Sequence, residues 1–202
     1  MAKILKNSSS AVLVLVNKLK SGEIVSFPTE TVYALACDPY NDDALIKLYN
    51  IKQRDQNQPL SLLAKDLMQI KQYAYVDVKA EKFINKFSPG PITYILNKKA
   101  GTGLSELINS TSSTIGIRIP KCLTAQKILS LFDRPIVGTS TNFSGEPSAV
   151  DVNNINQKLR ESIDVIIDGG KTKYSESSTI VDLTNSDEIK ILRKGVITNL
   201  IE

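Results

Sequence analysis

The feature that most constrains the fold is the interleaving of short apolar runs with amphipathic helical patterns along the whole chain. Residues 23–27, 60–64, 92–96, 114–119, 135–139, 165–167, 178–183 and 189–192 are short apolar stretches bounded by turn-forming residues, and each reads as a strand. Helices fall between them. Ser8, Ser9 and Ser10 precede an apolar stretch ending in Lys18, Lys20 and Gly22, the pattern of a capped helix with a basic, glycine-terminated end. Residues 42–54 place apolar side chains at 44, 45, 48 and 51 behind two acidic residues, an amphipathic helix. Residues 79–87 form a helix stopped by Ser88-Pro89-Gly90-Pro91, and further helices are expected at 124–132 and 152–162. Strands and helices that alternate in this way specify an α/β chain, a mixed twisted sheet with helices packed on it. No repeat, low-complexity tract or linker divides the sequence, and 202 residues suit one domain over 1–202.

Composition narrows the chemistry. There is no histidine, which removes Ser-His-Asp and Cys-His catalytic units, histidine metal ligands and histidine pH switches together. Cys37 and Cys122 are far apart, form no CxxC and read as small buried hydrophobes. With 42% hydrophobic and 23% charged residues the chain can bury a core. Its longest apolar run near the start, 11–16, is too short to span a bilayer and lacks a secretory cleavage site, so a cytoplasmic protein without a membrane partner is expected. Residues 1–101 carry 14 Lys and Arg against 9 Asp and Glu, whereas 102–202 carry 11 against 12. That asymmetry suits a site for phosphates or a polyanion, and a solvated lysine-rich surface explains it equally well.

Gly169-Gly170-Lys171-Thr172 imitates the end of a phosphate-binding P-loop, but Val165 stands where that motif requires its first glycine. What remains is a set of polar clusters at strand ends. Phe27-Pro28-Thr29-Glu30-Thr31-Val32-Tyr33 is a ligand loop or, equally, helix-entry chemistry. Lys52 and Arg54 diverge if the helix continues and converge if the chain has become extended; converging, they could clamp a triphosphate, whereas as a helix end they simply favour the dipole. Ser140-Thr141-Asn142 follows a strand where open α/β sheets bind ligands, with turn formation as the competing role. Arg118 sits on an alternating strand, sharing a face with Gly116 and Pro120, and its desolvation calls for a carboxylate or phosphate partner.

Taken in order, these clusters resemble the YrdC-like family of threonylcarbamoyl-adenylate synthases. The matching stretches are FPTETVYALACD (27–38), KQR with QPL (52–54 and 58–60), FSPGPIT (87–93), TIGIRIP (114–120), GTSTNFSGEPS (138–148), IIDGG (166–170), SSTIVDL (177–183) and ILRKG (191–195), which cover nearly the whole chain.

The resemblance implies the YrdC-like α/β fold, a twisted mixed sheet with flanking helices around a large concave basic cavity. It implies an ATP-binding nucleotidyltransferase that converts L-threonine, bicarbonate and ATP into L-threonylcarbamoyladenylate and pyrophosphate. That is the first step toward N6-threonylcarbamoyladenosine at A37 of tRNAs that read ANN codons. Carried over by position, Lys52, Arg54, Ser140 and Asn142 form the KxR and SxN signature. Lys52 and Arg54 would hold the triphosphate; Gln58, Thr114, Ser140, Asn142, Ser148 and Arg193 would complete the ATP pocket; Thr31, Arg118 and Ser178 would hold threonine. Mg2+ would be held mainly by the ATP phosphates. Partners would be the downstream threonylcarbamoyl-transferase proteins and tRNA or double-stranded RNA. The rival reading is a non-catalytic RNA-binding protein of the same fold; with only 6% aromatic residues and no RNP-like pair, it would bind by shape and phosphate contact. Departures from the family pattern are Asp55 in place of the usual proline after KxR, Gln58 and Leu63 where some longer relatives have asparagine and histidine, Thr141 within SxN, and Lys194 within the arginine-glycine motif. The short C-terminal remainder after that motif implies that the extra C-terminal domain of longer family members is absent.

Overall fold

A computed structural model describes residues 2–109, 112–185 and 187–200. In chain order the elements are β1 (Lys3–Lys6), α1 (Ser9–Lys20), β2 (Val25–Pro28), β3 (Tyr33–Cys37), α2 (Asp42–Lys52), β4 (Ser61–Leu63), α3 (Leu67–Tyr73), α4 (Val78–Phe87), β5 (Ile92–Asn97), β6 (Thr114–Arg118), α5 (Leu123–Phe132), β7 (Ile136–Ser140), α6 (Gln157–Glu161), β8 (Val165–Asp168), β9 (Thr179–Asp182) and β10 (Lys190–Arg193). Short 3-10 turns occupy Glu106–Ile108 and Val152–Asn154.

The ten strands form one mixed sheet in the order β1-β8-β2-β3-β7-β4-β6-β5-β9-β10. Pairs β1–β8, β2–β8, β4–β6 and β5–β9 are parallel; β2–β3, β3–β7, β4–β7, β5–β6 and β9–β10 are antiparallel. Side chains alternate across a sheet, so each strand serves both faces. One face buries Leu35, Leu62, Tyr94, Ile115, Ile117, Val137 and Val181 in the larger core, beneath Leu45 and Leu48 of α2 and Ile70 of α3. The other presents Val25, Phe27, Ala34, Ala36, Ile136, Val165 and Ile167 to α1 and α5, which pack on each other over that half of the sheet. On the same face, toward β9, side chains of β4, β6, β5 and β9 line an open cavity instead.

Local sequence explains the element ends. The Ser8 side chain caps α1 by accepting from Ala11 N at 3.2 Å, and the helix then buries Ala11, Val12, Leu15, Val16 and Leu19 along one stripe. Asn41 caps α2, with Asp42 and Asp43 against the dipole; the helix ends at Lys52 because Gln53 turns left-handed, at φ 51°. It therefore stops two residues short of the expected end at 54. The helix expected at 152–162 is divided. Asp151 accepts from Asn153 N and Asn156 from Lys158 N, and these side chain to backbone bonds end one turn and start another. Three elements had no clear sequence signal: the edge strand β1, the short α3, and β3, whose all-apolar YALAC lacks alternation because both its faces are covered. Among the described residues no helix is long and apolar enough to cross a membrane.

Candidate active site

The cavity measures about 320 Å3 and its floor is read directly from sheet parity. Alternate residues line it: Ser61 and Leu63 of β4, Thr93 and Ile95 of β5, Thr114, Gly116 and Arg118 of β6, Gly138 and Ser140 of β7, Ser178 beside β9 and Ile180 within it. Registration of Ser61 with Gly116, Leu63 with Arg118, Ile95 with Gly116 and Thr93 with Ile180 sets them side by side. Two floor positions leave no room for a side chain unless a neighbour shifts: a Cβ at Gly116 would lie 2.7 Å from Ser61 Oγ, and one at Gly138 would lie 2.6 Å from Leu63 Cγ. Neighbouring side chains thus fill the space over the glycines.

At one end, the turn joining β2 to β3 carries the PTET sequence, and a hairpin, not a helix entry, is what it forms. Its hydroxyls run in one direction. Thr29 Oγ1 donates to Val32 O at 2.7 Å, so it accepts from Thr31 Oγ1 at 2.8 Å, and Thr31 Oγ1 in turn accepts from Arg118 Nη1 at 2.8 Å. Arg118 Nε donates to Gly90 O at 3.1 Å. Its Nη2 lies 2.7 Å from Glu30 Oε1, close enough to pair by charge although not aligned as a hydrogen bond. Arg118 and Glu30 are both buried.

Arg193, at the end of β10, closes the cavity from the sheet edge. It donates to Ser178 O from Nε at 3.2 Å and from Nη2 at 2.7 Å, and reaches Ser178 Oγ at 3.2 Å; that hydroxyl pairs with Thr93 Oγ1 at 2.9 Å. Burial, and then the positive charge of Arg118, hold the Arg193 guanidinium below its ordinary pKa. The segment after Arg193 lies tight on the residues that lead into β9, since a Cβ on Gly195 would meet Ser177 O at 2.3 Å.

The KxR and SxN residues lie where α2 and β7 end, with Ser140 paired to Ala34 of β3. The left-handed Gln53 separates Lys52 from Arg54, so the two side chains take different paths. Arg54 lines the cavity, braced by bonds to Pro59 O at 2.9 Å and Gln58 O at 3.4 Å. Lys52 is buried at 1% exposure, and its Nζ donates to Ser140 O at 2.5 Å, Asn142 O at 2.8 Å and Asn142 Oδ1 at 3.2 Å. Burial, with Arg54 adding repulsion, pulls the Lys52 ammonium down to about 7, while those three oxygens favour its charged form. The same cluster continues from Ser140 Oγ to Asn142 Oδ1 at 2.5 Å and from Asn142 Nδ2 to Glu146 O at 2.6 Å.

Of the eleven residues that the resemblance singles out, Thr31, Arg54, Thr114, Arg118, Ser140, Ser178 and Arg193 line the cavity. Lys52 and Asn142 stand behind Ser140, Gln58 has an exposed side chain, and Ser148 lies partly buried in the loop after β7. Asp55, in the usual proline's place, forms its own turn by accepting from Asn57 N at 2.9 Å, and Leu63 is part of the cavity floor. The glycines of the failed P-loop match serve the PTET hairpin: Gly169 N donates to Tyr33 Oη at 3.1 Å, and a Cβ on Gly169 would meet Pro28 Cγ at 2.6 Å. Glu30 and the cavity-lining Asn109 carried no separate sequence signal. Glu30 lies inside the PTET motif, which shows no pattern that would single it out.

Among the described residues, three arginines and no carboxylate line the cavity, and no group of three or more His, Cys, Asp or Glu that could hold a metal ion occurs. The donor set suits anions, and it does not suit a divalent cation held by protein ligands.

Residues 17–195 match the Sua5_yciO_yrdC family, described as Telomere recombination. The chain is 40% identical over 183 residues to a putative threonylcarbamoyl-AMP synthase of Methanocaldococcus jannaschii, covering 91% of this chain and 84% of that protein. It is 32% identical over 184 residues to threonylcarbamoyl-AMP synthase of Vibrio vulnificus, covering 90% of this chain and 96% of that one. Among solved structures, Pyrococcus abyssi Sua5 complexed with L-threonine superposes with a TM-score of 0.88 at 28% identity, over 96% of this chain and 57% of its own, so the present chain spans little more than half of it. Escherichia coli YciO superposes with a TM-score of 0.87 at 26% identity, over 97% of each chain. With the same mixed sheet and a family match across nearly its whole length, the chain belongs to the Sua5/YciO/YrdC family.

Proposed function

We propose that the chain is an L-threonylcarbamoyladenylate synthase, a nucleotidyltransferase that forms threonylcarbamoyl-AMP and pyrophosphate from L-threonine, bicarbonate and ATP. The observation that carries this reading is the convergence of Thr31, Arg54, Thr114, Arg118, Ser140, Ser178 and Arg193 on one cavity, from three strands and three connecting segments of a fold whose relatives bear that enzyme's name.

Different groups lining the cavity take different parts of the reaction. Arg118 with Thr31 and Ser178 holds the amino acid, the guanidinium meeting its carboxylate, as a planar fork meets a planar anion. Arg54 and the Ser140 hydroxyl face the triphosphate, and Thr114 with Arg193 completes the nucleotide pocket. Lys52 acts from behind the floor: it holds the carbonyls of Ser140 and Asn142, and so sets where the Ser140 hydroxyl points. The amine of threonine takes up carbon dioxide with loss of a proton, or bicarbonate with loss of water, to become a carbamate, whose oxygen attacks the α-phosphorus while pyrophosphate leaves. Such a transfer depends on alignment and charge neutralisation more than on covalent catalysis, and no protein nucleophile is required. Magnesium enters as part of the substrate, on the phosphate oxygens, consistent with an arginine-lined cavity that offers it no carboxylate. The product would pass to threonylcarbamoyl-transferase proteins that modify A37 of tRNAs reading ANN codons.

The test is to incubate the purified protein with MgATP, bicarbonate and single amino acids and to follow pyrophosphate and new adenylate. Threonine-dependent formation of both is expected. RNA binding with steep salt dependence and no threonine-dependent ATP consumption would replace this reading with the non-catalytic one.

A further inference from the structure

Glu30 is a buried charge that the reaction above does not use. Its side chain is 3% exposed, it does not line the cavity, and neither carboxylate oxygen finds an aligned hydrogen-bond donor among the described residues. As a stability device this is a poor arrangement, because a buried ion pair recovers its desolvation cost only with good geometry and further hydrogen bonds. What Glu30 does have is Arg118 Nη2 at 2.7 Å. Among the described residues its hydrogen-bond partners are neutral acceptors, Gly90 O on Nε and Thr31 Oγ1 on Nη1, and Arg193 is a nearby charge of the same sign.

We propose that Glu30 is a positioning residue for the amino-acid subsite. From behind Arg118 it fixes the guanidinium between Thr31 and Gly90 and cancels its charge at long range, which leaves the pair suited to a zwitterion and poorly suited to simple anions. An amino acid carries one charge of each sign, and an arginine backed by a carboxylate still offers its N–H groups to a carboxylate at contact distance. An inorganic anion, which responds to net charge, gains less from such a pair. With Arg54 and Arg193 facing the same cavity and having no acidic partner among the described residues, the balance at Arg118 keeps phosphate-like groups at the other arginines and leaves Arg118 for the amino acid. This inference rests on the reading of the cavity as a threonine and ATP site.

The experiment is calorimetric titration of L-threonine, ATP and inorganic phosphate into the full chain and its Glu30→Gln, Arg118→Gln and double variants. Glu30→Gln keeps the shape and removes the charge. It is expected to weaken threonine about tenfold or more, to strengthen phosphate competition against threonine, and to leave ATP affinity within about twofold. Because Glu30 acts only through Arg118, adding Glu30→Gln to Arg118→Gln is expected to cost no further threonine affinity, which keeps the test usable if Glu30→Gln alone fails to fold. Unchanged threonine affinity in Glu30→Gln, or a further loss in the double variant, overturns the positioning role. Absence of threonine binding by the unmodified chain overturns the underlying reading of the site instead.

Discussion

Lys52 and Arg54 are two residues apart and meet different surroundings, and the difference makes their substitutions separable. Arg54 reaches the cavity from a surface turn and is held by two carbonyls. Arg54→Ala should therefore lower pyrophosphate release by about a hundredfold or more, as expected for loss of a charged contact to a reacting phosphate, with unfolding midpoints little changed. Lys52 sits under the floor, where replacing it strands three oxygens, so Lys52→Met should also cost about 1–3 kcal/mol of stability. Its pH dependence has a definite sign. The folded ammonium titrates at about 7 and the unfolded one near 10.5, so between those values the unfolded chain holds more protons and stability rises with pH. Denaturant unfolding from pH 6 to 10 should show the native chain gaining on Lys52→Met through that window; a difference that does not vary with pH would show that Lys52 keeps its ordinary titration.

At the scale of elements, the strand β10 and the segment behind it deliver Arg193 to the cavity from the sheet edge. The packing depends on Gly195, since the atom nearest an added Cβ is backbone and cannot swing away. Gly195→Ala should displace the segment, cost about 1–3 kcal/mol and weaken ATP binding, with titration calorimetry and thermal unfolding as the readouts. Retained stability with retained affinity would mean that the segment does not hold Arg193 in place. Strands with clear apolar alternation or turn-bounded ends were legible in the sequence, and so were capped helices such as α1 and α2. What was not legible has physical causes. β3 is buried on both faces and shows no alternation, β1 is an edge strand of KILK with lysines at its ends, and the division of the 152–162 helix depends on side chain to backbone bonds that compete with a helical pattern. For the site, motif order named seven residues that do line the cavity. It did not separate Lys52 from Arg54, because a single left-handed residue between them decides their directions, nor did it point to Glu30, whose importance arises only when β6 brings Arg118 beside the hairpin.

For the molecule as a whole, one face of a ten-stranded sheet is divided between two tasks. Toward β1 it is covered by α1 and α5 and contributes to the core; toward β9 it is left open, and the same inward parity that would bury apolar residues supplies threonines, serines and arginines instead. The absence of histidine from the chain is compatible with this arrangement, because an adenylyl transfer aligned by guanidinium groups and hydroxyls needs no imidazole. The most direct measurement is pyrophosphate release by the purified protein with MgATP and bicarbonate, compared across L-threonine, L-serine and L-valine. Release with threonine, accompanied by threonylcarbamoyl-AMP, is the expected result, with serine and valine slower by about tenfold or more because each lacks one of the two groups, methyl or hydroxyl, that define the threonine side chain. Release that is independent of the amino acid, or no adenylate with any of them, would contradict the assignment.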